Sequence, residues 1–473
     1  MIIVASASAL LAPQSTIKQT RRHSTILNPL EQLAEQAQIK AYEASAAAIA
    51  ATISAKVAEK GDRMPDGMVP IVQEFMRTYL DVVAKQKRDP MEKVPVLKEY
   101  LGLVEDQLDE PFVFAPYHEA WTEENGAPID HLKMDTAFME PMLDPNDSVL
   151  LGSERVKDIE ELLAKGDNVV LLSNHQTEAD PSCWSFALHE NHERLERDMI
   201  MVAGDRVTTD VVAVPFSKAR NLLCIYSKRH IDNPPEEKPK KMRHNAKTMT
   251  VRMRRPSVPS RRRRDSSPGE QVVGGLFFDF GAVRTESSDR DAPRMTWSRR
   301  WRRRAAVVTV PTQAMLRLFK GGGKCIWVAP SGGRDRPNAD GVYTPAAFDP
   351  KSVEMFRLMS AKAADKTTHF YPVAMMTHRL FPPPKTLTPG ALGEPRRAIR
   401  GSVNIAIGEP IDFDEVTRAG CLVDDFPPGC VEDREDAAQV AAEYAHLQVS
   451  QLYADLVKDA KDRGSPYYFA DRY

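Results

Sequence analysis

A histidine and an aspartate five residues apart form the first pair in the chain whose types and spacing indicate chemistry. His175 and Asp180 stand in the stretch SNHQTEADP, and a continuous helix would place them roughly 140° apart. A turn is therefore needed to join them, and Asp180-Pro181 supplies a helix start with Asp as N-cap. The carboxylate would then fix the imidazole tautomer and leave the other ring nitrogen as a general base. The alternative is a capping Asp beside a core His whose hydrogen bonds are satisfied.

Two further polar stretches carry cations suited to a phosphate. Residues 227–230 read SKRH and include Arg229 and His230, and residues 330–337 read PSGGRDRP. Adjacent glycines let backbone N–H groups turn toward an anion, and Arg334 and Arg336 offer planar forks that match phosphate oxygens. Each stretch alone also fits a solvated surface loop. Their presence in one domain with the His/Asp stretch favours a dianion site.

Short apolar runs precede these stretches and predict the strands that position them. Such runs suit strands buried on both faces of a sheet, and amphipathic stretches alternate with them. Six runs stand at residues 168–173, 198–202, 222–226, 324–329, 369–376 and 402–407. We therefore expect an α/β fold with a mixed, largely parallel sheet flanked by helices. Ligands of such sheets bind beyond the carboxyl ends of the strands, where three of the polar stretches would meet.

The first hundred residues predict a different organisation. Residues 1–24 are basic, hydroxylated and free of acids, which is typical of a transit peptide, although a frayed terminus has the same composition. Residues 28–103 look helical, with a break at 61–65. We expect a transit-peptide-like segment at 1–24, a small N-terminal helical domain at 25–105 and the α/β domain at 106–473.

The composition excludes collagen, a disordered acidic or basic protein and a disulfide-stapled mini-domain. The 473 residues are 42% hydrophobic and 27% charged, as in ordinary globular proteins. Five cysteines lie far apart without a CxxC pair, which indicates reduced thiols rather than a disulfide framework or a zinc site. A run of about 18 apolar residues, the signature of a transmembrane helix, is not found.

The net charge of −2 conceals a basic segment. Residues 251–313 hold 15 Arg and six acidic residues, so they carry +9 and the rest of the chain −11. We expect this Arg-rich insertion to be disordered or an artefact of the gene model. It begins with Val, whose codons start GT, and ends with Gln, one of whose codons ends AG, as a translated intron would. Sequencing the transcript decides this, and the functional alternative is a basic arm for an anionic surface.

Four stretches together carry a resemblance to a known family. SNHQTEADP, YSKRH, IWVAPSGGRDRP and HFYPVAMMTHRLFPPP resemble, in order, the four conserved blocks of the soluble plastid glycerol-3-phosphate acyltransferases. The resemblance covers roughly residues 25–250 and 314–470, and the insertion has no counterpart in it. One departure is Arg229, where the family has Lys; charge is kept, but Arg is longer and forked.

The resemblance implies an activity and a set of roles. The activity is transfer of an acyl group from an acyl-carrier-protein or CoA thioester to the sn-1 hydroxyl of glycerol 3-phosphate. His175 would be the general base with Asp180 as its partner, and Arg229, His230, Arg334 and Arg336 would hold the glycerol phosphate. No cofactor, metal or nucleic acid is implied, and the location would be the plastid stroma. A basic stretch at Lys238, Lys240, Lys241, Arg243 and Lys247 would dock an acidic carrier protein, unless it is a solvated helix face.

Three other interpretations stay open at this point. A 1-acylglycerol-3-phosphate acyltransferase shares the H-x4-D spacing but usually carries membrane helices and a different phosphate loop. A module that binds lipid or carrier protein without catalysis is the alternative from another class. His175, Asp180, His189 and His192 would form a metal cluster if the last two chelate from one helix, although His residues on a charged helix are usually at the surface.

Overall fold

The computed structural model describes residues 29–226, 236, 238–249, 314–383, 395–419 and 437–468. The transit-peptide-like segment 1–24, the pair Arg229 and His230 and the insertion 251–313 lie outside the described residues. The predicted domain boundaries therefore stay a prediction at these points.

Three helices open the described chain, as the sequence predicts. They are α1 (Pro29–Glu59), α2 (Met68–Lys85) and α3 (Val94–Asp109), with short 3-10 turns at Gly61–Arg63 and Pro90–Lys93. Gly67 has a φ of 77° directly before α2, a left-handed conformation that costs glycine nothing. The break predicted at 61–65 thus falls in the turn between α1 and α2.

In the part of the chain that the structure describes, eight strands form one sheet. Their bounds are β1 Tyr117–His118, β2 Val149–Leu151, β3 Asn168–Ser173, β4 Ile200–Gly204, β5 Asn221–Ile225, β6 Cys325–Val328, β7 Thr368–Met376 and β8 Asn404–Ile407. The strand order is β1-β5-β4-β6-β3-β7-β8-β2, and only β1 with β5 and β7 with β8 pair antiparallel. All six predicted runs are strands, and the expected mixed, largely parallel sheet is confirmed.

Helices connect the strands and cover both faces of the sheet. Those that follow α3 are α4 His131–Met139, α5 Glu154–Ala164, α6 Asp180–Leu188, α7 Glu193–Asp198, α8 Asp205–Thr209, α9 Val214–Lys218, α10 Lys238–Met249, α11 Ala314–Gly321, α12 Pro350–Lys362, α13 Phe413–Ala419 and α14 Ala437–Arg463. A third 3-10 turn lies at Glu140–Met142. Among the described residues, no helix is long and apolar enough to cross a membrane.

Two hydrophobic clusters sandwich the sheet. One joins side chains from α1 to α4 to alternate residues of β3, β4 and β5, and the other joins the opposite residues to α11, α12 and α14. All six residues of β3 are buried, which explains why the central strand reads as a continuous apolar run. The N-terminal helices therefore share a core with one face of the sheet.

A glycine-rich turn returns the chain to the central strands after α11. Gly322 has a φ of 69°, and a Cβ at this position would lie 2.3 Å from the carbonyl oxygen of Gly166. Only glycine fits so close an approach. The turn delivers β6 next to β3, and so sets the loops that follow these two strands side by side.

Candidate active site

The His/Asp pair lies at the carboxyl edge of the sheet. His175 follows β3 by two residues, and its Nδ1 lies 2.7 Å from Oδ2 of Asp180. The Asp180 carboxylate is fully buried, whereas the imidazole is 25% exposed. Oδ1 of Asp180 accepts a 2.5 Å hydrogen bond from the Thr377 hydroxyl. A carboxylate in this position holds the proton on Nδ1 and leaves Nε2 available as a base.

The expected N-cap role of Asp180 is wrong in detail. Asp180 is the first residue of α6 and Ala179 is the N-cap. The carboxylate turns back toward the preceding loop and accepts hydrogen bonds from the backbone N–H groups of Gln176 (2.8 Å) and Thr177 (3.3 Å). The loop closes on the carboxylate in this way, which supplies the turn that the five-residue spacing requires.

Amide side chains on either side of His175 lock its loop to two neighbouring strands. Asn174 donates to the Asp335 carboxylate at 2.8 Å and accepts from the Met375 N–H at 2.7 Å. Gln176 accepts from the Thr377 N–H at 2.9 Å. These residues are all buried, so the imidazole is held on a rigid base.

Asp335 ties the PSGGRDRP loop to the same point. Its backbone N–H donates to the carbonyl of His175 at 2.6 Å, and its buried carboxylate accepts from the N–H of Ala346 at 2.9 Å. Burial raises the pKa of Asp335, opposed by the hydrogen bond from Asn174. The loops after β3, β6 and β7 therefore meet at one edge, as the sequence predicts for the first two.

Glu178 joins two arginines beside the imidazole. Its carboxylate lies 3.6 Å from Arg334 and accepts a 2.9 Å hydrogen bond from Arg396. Arg396 also bonds Asp210 at 2.8 Å and is 8% exposed. Arg334 stands two residues after Gly332, which has a left-handed φ of 68°. It is thus held against Glu178, which follows His175 by three residues in the chain.

The two arginines change the acidity of Glu178. Burial opposes its ionisation, but the charges of Arg396 and Arg334 outweigh burial and lower its pKa to about 2. A lowered folded-state pKa stabilises the fold above the ordinary pKa of a Glu, and this stability is lost as the pH falls toward 2. The ion pair is therefore complete at neutral pH.

The structure describes only part of the phosphate site that the sequence predicts. Arg336 is half-buried in the same loop as Arg334, while Arg229 and His230 lie outside the described residues. Tyr226, three residues before Arg229, exchanges two 2.8 Å hydrogen bonds with Asn245 of α10. The chain therefore leaves β5 at the carboxyl edge, anchored to α10.

The predicted basic stretch on α10 has two faces. Lys240 and Arg243 are exposed, and Lys238 is partly so. Lys241 is 6% exposed and lies over the ring of Tyr226 at 5.7 Å, so it packs inward instead of facing a partner. The side chain of Lys247 lies outside the described residues. The docking role of the others stays a prediction.

The histidines proposed as metal ligands have other partners. His189 pairs with Glu196 at 3.0 Å and His192 with Glu160 at 2.9 Å. Within the described ranges, no group of three or more His, Cys, Asp or Glu side chains is placed to hold a metal ion. These imidazoles thus have partners apart from the His175–Asp180 pair.

An apolar cavity of about 140 Å³ opens beside His175. Its walls come from β4, from the segment α8–α9 and from aromatic residues, and its polar members near the imidazole are Glu178 and Arg396. The apolar lining includes Phe75, Met139, Met201, Val207, Val212, Phe216, Leu222, Trp327 and Phe381. The ring of Trp327 meets that of His175 edge to face at 5.7 Å. Apolar cavities of this size take up apolar ligands.

Sequence reasoning missed several residues of the site. Glu178 stood inside the quoted SNHQTEADP stretch without a role, and its position two residues before Asp180 was the only signal. Arg396, Asp210 and Trp327 carried no motif. Their place in the site depends on contacts across the chain, such as the 218-residue separation of Glu178 and Arg396.

The fold and the site together indicate the class of protein. An α/β sheet carries a His–Asp pair beyond its central strand, next to an apolar cavity and an arginine, and residues 154–258 match the protein-family model described as Acyltransferase. This part of the chain is therefore similar to the acyltransferase family.

Relatives make the similarity more specific. The chain is 29% identical over 357 residues to a chloroplastic glycerol-3-phosphate acyltransferase of Cucurbita moschata, covering 75% of this chain and 62% of that protein. It is 26% identical over 394 residues to that of Spinacia oleracea (83% and 66%) and 27% over 414 residues to that of Arabidopsis thaliana (86% and 72%). The resemblance read from the sequence is confirmed, and the chain matches slightly less than two thirds of the length of the first two relatives.

Proposed function

We propose that this protein is a glycerol-3-phosphate 1-O-acyltransferase. The observation that carries the proposal is the placement of His175, held by the buried carboxylate of Asp180, between an apolar cavity and the Arg334 loop. An acyl chain suits the cavity, and a phosphate suits the arginines. The acceptor hydroxyl would then lie where the two meet.

The reaction follows from this arrangement. Nε2 of His175 takes the proton of the sn-1 hydroxyl of glycerol 3-phosphate as the hydroxyl oxygen attacks the thioester carbonyl carbon. The Asp180 carboxylate stabilises the imidazolium that forms. When the tetrahedral intermediate collapses, the C–S bond breaks and the imidazolium returns the proton to the sulfur. The products are 1-acylglycerol 3-phosphate and a free thiol.

The substrates are assigned by chemistry. The phosphate dianion would bind Arg334 and Arg336, together with Arg229 and His230. The donor would be a fatty acyl thioester of acyl carrier protein or CoA, with the exposed cations of α10 near an acidic carrier. The chain's own residues supply the base and the phosphate clamp, so the proposal involves no cofactor.

The location proposed is the plastid stroma. The similar proteins of Cucurbita moschata, Spinacia oleracea and Arabidopsis thaliana are named chloroplastic. The basic, acid-free composition of residues 1–24 supports the same compartment.

Release of free thiol from an acyl thioester tests the function. We expect thiol release that depends on glycerol 3-phosphate in the unmodified protein and falls by about 10²–10⁴-fold in His175→Ala, because the base is lost. His189→Ala is the matched control, since His189 pairs with Glu196 on the protein surface. Equal rates for the unmodified protein and His175→Ala would reject the assigned base. Preference for 1-acylglycerol 3-phosphate as acceptor would reject the proposed substrate.

A further inference from the structure

The cavity beside His175 runs down the face of the sheet. Four consecutive residues of β4, from Met201 to Gly204, line it, which corresponds to roughly 10 Å of strand. Leu222 pairs with Met201 across β5 and β4, and Arg220 precedes Leu222 by two residues. Arg220 therefore lines the cavity at the amino ends of these strands, opposite the edge that carries His175.

A polar cluster closes this far end. The Arg220 guanidinium forms an ion pair with the carboxylate of Asp135 on α4. The Ser182 hydroxyl reaches the same carboxylate, at 2.9 Å and 3.1 Å from its two oxygens. The side chains of Arg220 and Asp135 are 6% and 1% exposed, so the cluster is nearly dry.

The cluster is costly for the stability of the fold. Two buried charges lose their hydration, and a well-packed apolar pair of similar volume is often as stable or more stable. Among the described residues, Nε of Arg220 has no hydrogen-bond partner, so no hydrogen bond offsets the free-energy cost of its desolvation. Burial raises the pKa of Asp135, opposed by the charge of Arg220. A charged end to an otherwise apolar cavity therefore calls for a functional reason.

We propose that Arg220, Asp135 and Ser182 form the floor of the acyl pocket and set the longest acyl chain that the protein accepts. The inference rests on the proposed function and adds its chain-length specificity. A terminal methyl group that reached the floor would have to displace hydrogen-bonded, charged groups. Methylenes beyond the floor therefore gain no burial, and longer chains lose their fit at the thioester.

Removing both charges tests the floor. In Asp135→Ala/Arg220→Ala, which removes the charges and also side-chain volume, each methylene that enters the opened space should gain about fourfold in kcat/KM, because burial of a methylene contributes about 0.8 kcal/mol. The assay is thiol release with a series of saturated acyl-CoA thioesters of increasing chain length. The chain-length optimum should move to longer chains, and the relative kcat/KM for a chain two carbons beyond the original optimum should rise by roughly fifteenfold.

A matched control separates the floor from general loosening. Lys93→Ala/Glu140→Ala removes another cation–carboxylate pair, 2.7 Å apart, whose residues do not line the cavity. Its chain-length optimum should stay in place. The same shift in this control would overturn the proposal, as would an unmoved optimum in a folded Asp135→Ala/Arg220→Ala protein.

If the double variant does not fold, a variant that narrows the cavity tests the floor instead. Leu222→Phe adds volume directly above Arg220 and should move the optimum to shorter chains. An unchanged optimum in this variant would refute the floor. Absence of thiol release by the unmodified protein with every thioester would instead refute the proposed function, so the two failures are distinguishable.

Discussion

Asp180→Asn separates the charge of the buried carboxylate from its hydrogen bonds. An Asn carbonyl oxygen in place of Oδ2 still accepts from His175 and from the N–H groups of Gln176 and Thr177. Its NH₂ group then faces the Thr377 hydroxyl, which can turn to accept. The loop should therefore keep its structure, and only the negative charge is lost.

The magnitude follows from Coulomb's law. An imidazolium and a carboxylate with charge centres about 4 Å apart attract by about 4 kcal/mol at an effective dielectric constant of about 20. Without that attraction the imidazolium that forms in the transition state is less stable, which lowers kcat by roughly a thousandfold. The KM for glycerol 3-phosphate should change little, because the arginines are untouched.

Steady-state thiol release, with thermal unfolding as the check on folding, measures this effect. Thr377→Val is the control, because it removes one hydrogen bond to Asp180 and leaves the charge in place; its kcat should fall by about tenfold or less. A fully active Asp180→Asn would refute the reasoning. So would a loss of kcat in Thr377→Val as large as that in Asp180→Asn.

Glu178, the two arginines of the PSGGRDRP loop and the Arg-rich insertion can each be tested by mutation. Glu178→Gln should lower the unfolding free energy at pH 7 by at most about 3 kcal/mol, because the pKa of Glu178 is lowered from its ordinary value to about 2. Unfolding measured as a function of pH should show the difference between the two proteins disappear as the pH falls to 2. A difference in unfolding free energy that does not depend on pH would contradict this prediction. Arg334→Ala and Arg336→Ala should each raise the KM for glycerol 3-phosphate by about tenfold or more, since charge-assisted hydrogen bonds are lost, with smaller effects on the KM for the thioester; equal effects on both would indicate a structural role. Deletion of residues 251–313 should leave thiol release intact and raise the unfolding free energy. The reason is that each halving of the length of a connecting segment lowers the entropic cost of closing it by about 0.6 kcal/mol. Lost activity would show that these residues belong to the native enzyme.

The sheet was predictable where its strands are buried on both faces. The run at 168–173 reads as continuous apolar sequence because β3 lies at the centre of the sheet, and the other five runs behave alike. The strands β1 and β2 were missed, since they are two and three residues long and lie at the two edges. So short a strand carries no periodic pattern.

In the site, too, some features were predictable from the sequence and others were not. His175 and Asp180 were predicted as a pair because five residues and one turn suffice to join them. Arg334 was predicted as a phosphate ligand, and its contact with Glu178 places it next to this pair. The expected N-cap geometry failed because the Asp180 carboxylate bonds the loop before the helix, a choice that local propensity does not distinguish.

The amino-acid sequence by itself determined six of the eight described strands, the polar loops after some of them and the histidine–aspartate pair, because these depend on residues close together along the chain. Tertiary structure alone decided the apolar cavity, the Glu178–Arg396 link and the ion pair of Arg220 with Asp135. Asp135 and Arg220 are 85 residues apart, and no local pattern records that their side chains meet. Folding buries such groups next to each other. In the low dielectric of the interior their charges interact strongly enough to position a base or to limit the depth of a pocket.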